Sequence, residues 1–589
     1  MVAVNPEEAR SGGNGGPIVS AARGGVPSLL RRLLSPTGLV GLVLIAVLFV
    51  LVANPVIRLV VSSVQSTELG TFTLENYAIA YGSMRSLQAL LNSLIYGVCV
   101  TLVAIVLAVP IAWAISRTDM PGKGLIRALI LGAFITPSYL GAIGWILLAG
   151  PNAGWLNQLW MNLTGSDQGI LDIYSLGGLV FVTAIYAFPY VFVFVSDALD
   201  LLSSEMEDAA NILGAGMWRT TFKVTLPLVV PAILAGSIIT FLDTIALFGT
   251  PAIIALPARI NVMTLQLWQF FEFPVRVEAA AAYSIPLVGL TCLLLGLQRF
   301  LLGRKGYVAL TGKTASRRLI AAGPLRWVFF AYAMLVCALA VLLPYLALGQ
   351  AAFSKAWGRG LSWENLTLGN FYYIFFQHQN VRESISNTFL YSAGAATLAV
   401  AIGLGVAYMV NRRLVPFGGL LALLCMTPFV IPGIVLAISF YSAYTAPPLS
   451  LYGTGLILVL AFTTRFLPIA YANCGASMRS INPEMEEAVR ILGGSRLKAL
   501  GSVIVPLLKK NLAGCWILVF IPAMRELSTA IFLIAPNTRV LSVMLLDLSE
   551  DGNFEALSAL GLFLLLATIL VVLVSYRMLG RDLLLRRSS

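Results

Sequence analysis

Residues 203–227 read SSEMEDAANILGAGMWRTTFKVTLP, and residues 482–506 read NPEMEEAVRILGGSRLKALGSVIVP. In both segments a helix-capping residue and acids come first, small residues and a glycine follow, and a proline leads into an apolar stretch. Capping residues ahead of acids are typical of a helix start, and glycine of a helix end. The sequence therefore predicts, twice, a short helix, a turn and a second short helix that leads into a membrane span.

The composition predicts a membrane protein. Of the 589 residues 59% are apolar and only 11% are charged, whereas about 25% of the residues of a soluble protein are charged. This excludes a set of soluble domains. A spanning helix needs about 20 mostly apolar residues. About twelve such stretches lie near 37–58, 88–115, 128–149, 174–197, 226–249, 279–302, 327–349, 386–410, 416–442, 453–477, 503–524 and 555–577.

The distribution of basic residues predicts the orientation. Most of the 38 Lys and Arg residues fall on the side of the two termini, which places both termini in the cytoplasm. Residues 1–36 are rich in Gly, Pro and Ser and are expected to form a disordered cytoplasmic tail. Residues 303–326 are expected to form a cytoplasmic linker. The net charge of +12 is therefore a topology signal and does not indicate a nucleic-acid partner.

The spans form an internal repeat. Arg117 matches Arg412 at an offset of 295 residues, and Gly214 matches Gly493 at an offset of 279. Two halves, 37–302 and 327–579, follow from this match. We predict an all-α polytopic membrane protein with two parallel six-helix repeats and a pathway between them.

Enzyme chemistry is not expected in this chain. It has one histidine, His378, and six cysteines, none of them in a CxxC pattern. These residues cannot form an ordinary transition-metal site. The segment 306–314 resembles a phosphate-binding loop but has five residues between its glycines where four are needed. We expect no cofactor and no metal bound by this chain.

The two quoted segments also resemble a known motif. Asp208-Ala209-Ala210, Gly214 and the run ending at Pro227 look like the EAA loop of type I ABC importer permeases, and the run from Glu487 to Pro506 looks like a second copy. The resemblance covers 88–300 and 386–577. It implies two ATP-binding subunits carrying ATP-Mg on the cytoplasmic side, one solute-binding protein outside, and a bacterial inner-membrane location. The implied ATPase-coupling residues are Glu207, Asp208, Ala209, Gly214, Glu486, Glu487, Ala488 and Gly493.

Two short runs of sequence narrow the resemblance to one subfamily of these permeases. The run 247–251 and the run 301–304 resemble the fused, double-length permeases of ferric-iron importers. Ferric iron is the implied cargo. An ABC importer of the same kind that carries 2-aminoethylphosphonate, thiamine or a polyamine remains an alternative. A secondary transporter driven by an ion gradient is another.

A few ionisable residues lie in or at the edge of the spans. Because charge at membrane depth is costly, Asp243, Arg465, Arg525 and Glu526 are predicted to form a polar constriction on the substrate path. Structural pairing and snorkelling to the interface are the alternatives. Two further sets have a predicted place on the path. They are Phe248, and the threonines of the Thr136-Pro137 and Thr427-Pro428 pairs. These pairs should break the third span of each half, and they either shape the path or only kink the helix.

Overall fold

The computed structural model describes residues 35–66, 70–202, 205–304, 319–360 and 362–579. Almost all of the predicted tail 1–36, most of the linker 303–326, and the predicted capping residues Ser203 and Ser204 lie outside these ranges. The described chain is built of helices, as predicted. They fall into two sets of eight that follow the same order.

The first half contains α1 to α8. Their bounds are α1 Pro36–Ser63, α2 Met84–Arg117, α3 Lys123–Ile135, α4 Ser138–Ala149, α5 Leu176–Leu201, α6 Glu205–Ile212, α7 Met217–Ala246 and α8 Val277–Arg304. Short helices Glu75–Tyr81, Trp155–Thr164, Gly249–Ile254 and Met263–Gln269 connect them.

The second half contains α9 to α16, and each label minus eight gives the counterpart in the first half. Their bounds are α9 Leu325–Ala352, α10 Gln379–Asn411, α11 Gly418–Phe429, α12 Gly433–Tyr444, α13 Gly455–Arg479, α14 Glu484–Ile491, α15 Arg496–Met524 and α16 Phe554–Leu579. Leu541–Glu550 is the main connecting helix of this half.

Ten described helices are long and apolar enough to span a membrane. The predicted spans 128–149 and 416–442 are instead bent pairs, with angles of 101° between α3 and α4 and 114° between α11 and α12. The first break falls at Thr136-Pro137, as predicted. The second prediction is wrong by a few residues, because Thr427–Phe429 continues as one 3-10 turn and the bend follows it.

Four of the described spans contain a π-helical turn that ends two residues before a proline. The turns are Phe49–Ala53, Thr221–Thr225, Ala338–Leu342 and Leu500–Ile504, and the prolines are Pro55, Pro227, Pro344 and Pro506. Proline has no N–H to donate four residues back, and the helix widens there. The second predicted helix of each loop is consequently continuous with the span, and the two together form α7 and α15.

The first span of each half packs against the other half. At Gly41 of α1, a Cβ atom would lie 2.8 Å from Val415 of the second half. Thr464 of α13 donates to the Leu51 carbonyl at 3.2 Å. In the other direction, Tyr332 of α9 donates to the Val106 carbonyl of α2 at 2.9 Å. The exchange of α1 and α9 fastens the two halves together.

Candidate functional site: two loops and a charge cluster between the halves

The helices α6 and α14 begin and end in the same way. Each has eight residues with three acids in its first turn, where the positive end of the helix dipole favours negative charge. Each ends at a glycine in the left-handed region, Gly214 at φ 80° and Gly493 at φ 82°. The N–H of Ala215 donates to the Ala210 carbonyl, and that of Gly494 to the Val489 carbonyl, both at 2.9 Å. These bonds form the same C-terminal cap twice.

An apolar pair precedes each of these glycines and stands in solvent. Ile212 and Leu213 are 86% and 87% exposed, and Ile491 and Leu492 are 85% and 88% exposed. Two large aliphatic side chains this exposed at matched positions form a candidate contact surface. Ala209 and Ala488, one turn earlier, are also exposed, and their small side chains leave the helix backbone accessible.

Two of the predicted coupling acids face their own half. Glu207 of α6 is 7% exposed and Glu486 of α14 is 6% exposed. The adjacent acids differ, since Asp208 is half-buried and Glu487 is exposed. Glu207 and Glu486 therefore hold the loop to the helices, and Ala209, Glu487, Ala488 and the apolar pairs form the outer surface.

Each buried glutamate is paired with the arginine at the end of the second span. In the first half Arg117 Nε lies 3.4 Å from Glu207 Oε1, and Thr225 donates to the same oxygen at 2.7 Å. In the second half Arg412 Nε donates to Glu486 Oε2 at 3.1 Å, and the Tyr408 hydroxyl donates to Oε1. Such pairing offsets the cost of burying a carboxylate.

The sequence matched Arg117 with Arg412 but gave them no role. Each arginine also reaches the backbone just ahead of its loop, at the Leu202 carbonyl and the Ile481 carbonyl. The sequence does contain a signal for this pairing. A basic residue recurs at the end of the second span in both halves, and an acid recurs at the same place in both loops.

Four predicted path residues come together between the halves. Asp243 of α7 interacts electrostatically with Arg465 of α13, and with Arg525 and Glu526 just after α15. Tyr190 of α5 lies in the same cluster. The Asp243 side chain is half-buried, and within the described ranges no donor hydrogen-bonds its carboxylate. Two carboxylates and two guanidiniums thus lie within electrostatic range of one another at the end of α7 that is farthest from its loop.

The two arginines of this cluster also cap the broken spans. Arg525 donates to the carbonyls of Phe134 and Ile135 at the end of α3. Arg465 donates to the Ile431 carbonyl, in the bend between α11 and α12, at 2.8 Å. A bend leaves carbonyls without helical donors, and a guanidinium satisfies several of them at once. Arg525 thereby joins the second half to the first.

The remaining predicted path residues have different surroundings. Thr136 shares a 2.5 Å hydrogen bond with the Tyr345 hydroxyl of α9, while Thr427 donates to the Leu423 carbonyl of its own helix. Phe248 is buried beyond α7, where its ring lies 6.3 Å from that of Phe532 in the second half. Of these three residues, only Thr136 lies beside the charge cluster, because the carbonyl of the preceding residue, Ile135, accepts a hydrogen bond from Arg525.

An aromatic contact between the halves lies beside Phe248. The Phe271 ring centroid is 4.7 Å from that of Phe532 and 5.2 Å from that of Tyr441. A cavity of about 220 Å³ is lined by these three rings together with Trp268 and Tyr452. This contact could not be predicted from the sequence, because it joins connecting segments that are far apart along the chain.

Each half has six spans when its bent pair is counted as one span, and a short acidic helix lies on the loop before the fifth span. Two such parallel halves define the permease subunit of an ABC importer with both halves fused in one chain. Comparison with known families agrees. Residues 78–307 and 399–584 match the family described as "Binding-protein-dependent transport system inner membrane component", and the chain belongs to it.

Curated relatives include fused and single-half permeases. The chain is 25% identical to the ferric transport system permease protein FbpB of Actinobacillus pleuropneumoniae over 545 residues, which is 90% of this chain and 76% of the relative. It is also 25% identical to putative ferric transport system permease protein FbpB 1 of Haemophilus influenzae, over 85% of this chain and 78% of the relative. The molybdenum transport system permease protein ModB of H. influenzae is 30% identical over 179 residues, 30% of this chain and 75% of the relative.

Proposed function

We propose that this permease works with two ATP-binding subunits on the side of α6 and α14, and with one solute-binding protein on the opposite side, to import ferric iron. The two matched loops support the ATPase partners, and the names of the fused relatives support iron. In this proposal ATP-Mg is bound and hydrolysed on the partner subunits, both termini are cytoplasmic, and the binding protein delivers the cargo.

The route of coupling follows from helix continuity. The helix α7 runs without a break from Met217, in the second part of the first loop, to Ala246, three residues beyond Asp243. The helix α15 runs from Arg496 to Met524, next to Arg525. A helix of 30 residues is about 45 Å long. When the ATPase pair closes and moves the loops, the same two rigid helices move both sides of the charge cluster.

The observation that carries this proposal is the doubled loop. Each loop presents an exposed apolar pair on a capped helix whose buried glutamate is bound to its own half. A docking partner can therefore pull on the surface without unfolding the helix. A secondary transporter driven by an ion gradient has no need for two such surfaces.

Reconstitution tests the proposal. The chain is placed in vesicles with its ATP-binding subunits and binding protein, and uptake of radioactive ferric iron is measured with and without ATP. We expect uptake only in the complete, ATP-supplied system. Uptake that persists under an ion gradient with no ATP-binding subunit would identify a secondary transporter. ATP-dependent uptake of 2-aminoethylphosphonate, thiamine or a polyamine in place of iron would support the ABC importer but contradict iron as its cargo.

A second experiment tests the charge cluster as part of the path. Asp243→Asn and Glu526→Gln should lower iron uptake while the assembled complex is recovered in normal yield. Glu75→Gln, at an exposed acid, is the control for the loss of one negative charge. If uptake and assembly fall together in the cluster variants, the four charges serve structure alone.

A further inference from the structure

The first half contains an apolar cavity beside its loop. The volume of the cavity is about 160 Å³, and it lies between α2, α5, α7 and α9. Trp113, Val195, Trp218, Phe222 and Phe329 are among its lining residues. An apolar cavity of roughly 150 Å³ stays dry and takes up apolar guests. Phe222 and Trp218 are 61% and 48% exposed, which leaves the cavity open at the side of α7.

One polar atom in this apolar wall lacks a partner. Trp113 is 7% exposed, and among the described residues its indole N–H has no hydrogen-bond acceptor. The Trp113 ring lies 6.0 Å from Trp218 and 5.4 Å from Phe329, and these contacts fix its position at the cavity. A buried N–H without an acceptor is costly, so a natural guest should carry an acceptor as well as an apolar chain.

The positive charge beside the cavity adds a third requirement. Arg219 and Lys223 follow Trp218 and Phe222 directly along α7 and are exposed. In the described part of the chain neither forms an ion pair. Tryptophan and basic residues at the end of a span are typical of the level of the lipid headgroups.

We propose that this site binds one anionic phospholipid. An acyl chain occupies the cavity, an ester carbonyl accepts the Trp113 N–H, and the headgroup phosphate lies against Arg219 and Lys223. The bound lipid touches α7 within the turn that contains Thr225, the donor to Glu207. The lipid thus contacts the start of the helix that leads away from the first loop.

The second half does not offer the same site. Tyr408, Leu497 and Gly501 stand where the first half has Trp113, Trp218 and Phe222. The Tyr408 hydroxyl is bonded to Glu486, and it offers no free donor to a lipid. We therefore expect one such lipid per chain.

Residues 305–318 of this chain are the competing occupant, since they connect α8 to the segment that leads into α9. Their sequence, KGYVALTGKTASRR, contains four basic residues and few large apolar ones. Such a segment is poorly suited to fill an apolar cavity, and its charge favours an anionic lipid nearby.

The test measures lipid binding to the purified full-length chain and needs no transport. Native mass spectrometry in detergent is used to titrate phosphatidylglycerol, with phosphatidylcholine as the zwitterionic comparison. We expect one tight phosphatidylglycerol. Arg219→Gln/Lys223→Gln should weaken binding by about fivefold per charge, hence about 25-fold. The matched control is Lys509→Gln/Lys510→Gln, which removes two exposed charges from α15 and should have no effect.

A cavity variant gives the second readout. Val109→Phe fills the cavity from a half-buried position and should abolish the tight site while leaving the monodisperse chain intact. Equal binding of phosphatidylcholine, or unchanged binding in Val109→Phe, would overturn the proposal. Binding that appears only after residues 305–318 are replaced by a Gly-Ser linker would show that the chain itself covers the cavity, and would overturn it as well.

Discussion

In the first half the buried Glu207 is hydrogen-bonded by Thr225 of α7, the helix that follows the loop. In the second half Glu486 is hydrogen-bonded by Tyr408 of α10 and by Arg412, the residue that follows α10 directly. The hydroxyl donor thus comes from the span after the short acidic helix in the first half, and from the second span of the half in the second. We call this difference the exchange of donors. Where the second half has Tyr408 the first has Trp113, and where the first has Thr225 the second has Ile504.

This exchange shows that the same buried carboxylate can be stabilised from either neighbouring helix. In the first half the carboxylate joins α2, α6 and α7. In the second half its two side-chain partners are Tyr408 in the last turn of α10 and Arg412, the residue directly after α10. We infer that the first loop moves together with the start of α7, whereas the second follows the end of α10. The exchange also leaves Trp113 without a polar partner among the described residues, at the lipid site proposed above.

The largest expected effect comes from removing the arginines. Arg117→Met leaves a carboxylate buried without its cation, which costs about 3–5 kcal/mol in the free energy of unfolding. Arg412→Met should cost less, because the Arg412 side chain is 13% exposed and that of Arg117 is 2% exposed, and water can approach Glu486. Unfolding in mixed micelles measures both.

Arg413→Met is the control for these variants, since Arg413 is adjacent, exposed and at φ 50°. It should change the unfolding free energy by less than about 0.5 kcal/mol. If Arg117→Met is as mild as this control, Thr225 alone holds Glu207 and the pairing with Arg117 contributes nothing.

The exchanged donors give a smaller and more specific effect. Thr225→Ile should cost about 1.5–3 kcal/mol, the range for a hydrogen bond to a charged group. Adding Trp113→Tyr supplies the donor that the second half uses and should recover part of that loss. Tyr408→Phe is the corresponding loss in the second half. A double-mutant cycle on Thr225 and Trp113, measured as unfolding free energy, gives the coupling between them.

The control for the cycle is Ile504→Val, at the position where the second half has no donor. It should fall in the ordinary range of about 0.5–1.5 kcal/mol for the loss of a buried methylene. Additive effects of Thr225→Ile and Trp113→Tyr would contradict the exchange, because the new hydroxyl would then not reach Glu207.

Much of this arrangement could be predicted from the sequence. The all-helical fold, the two halves, the capped loop helices and the break at Pro137 follow from local composition and from proline and glycine chemistry. The partners of Glu207 and Glu486 could not be predicted, because which face of a short helix is buried depends on the packing of distant spans. Asp243, Arg465 and Arg525 were found as costly charges, but the capping of bent spans by the two arginines depends on a bend geometry that only the three-dimensional structure gives.

The glycines that end the two loop helices are a feature that both halves share. Because Gly214 and Gly493 both have positive φ and a Cβ atom at either would meet nothing within 4 Å, alanine there is opposed by backbone strain alone. Gly214→Ala and Gly493→Ala should each cost about 1–2 kcal/mol locally. Hydrogen exchange of the loop amides should show faster opening by the same factor in both loops.

Gly216→Ala and Gly501→Ala are matched controls, since neither has positive φ and a Cβ atom at either also meets nothing within 4 Å. Unequal effects of Gly214→Ala and Gly493→Ala would show that the asymmetry of the buried glutamates extends to the ends of the loop helices.

The smallest effect concerns a contact that only the first half has. The Asp119 carboxylate accepts the Ala322 N–H at 2.9 Å and lies 3.6 Å from Arg326, whereas its counterpart at the same offset is Leu414. The Ala322 N–H, aided by Arg326, holds the pKa of Asp119 below its ordinary value of 3.8. The carboxylate therefore binds protons less readily in the folded chain. Its stabilising contribution is present above that ordinary value and is lost as the pH falls through the lower, folded value.

The unfolding midpoint of the wild type should consequently fall more steeply than that of Asp119→Asn as the pH is lowered from about 5 to about 3. Asp167→Asn, at an exposed acid in another loop, controls for the loss of one negative charge. Identical slopes for the wild type and Asp119→Asn would mean that the segment before α9 is held by the pairing of Thr118 with Ile320 and not by Asp119. The polar asymmetry between the halves would then be confined to the residues around Glu207 and Glu486.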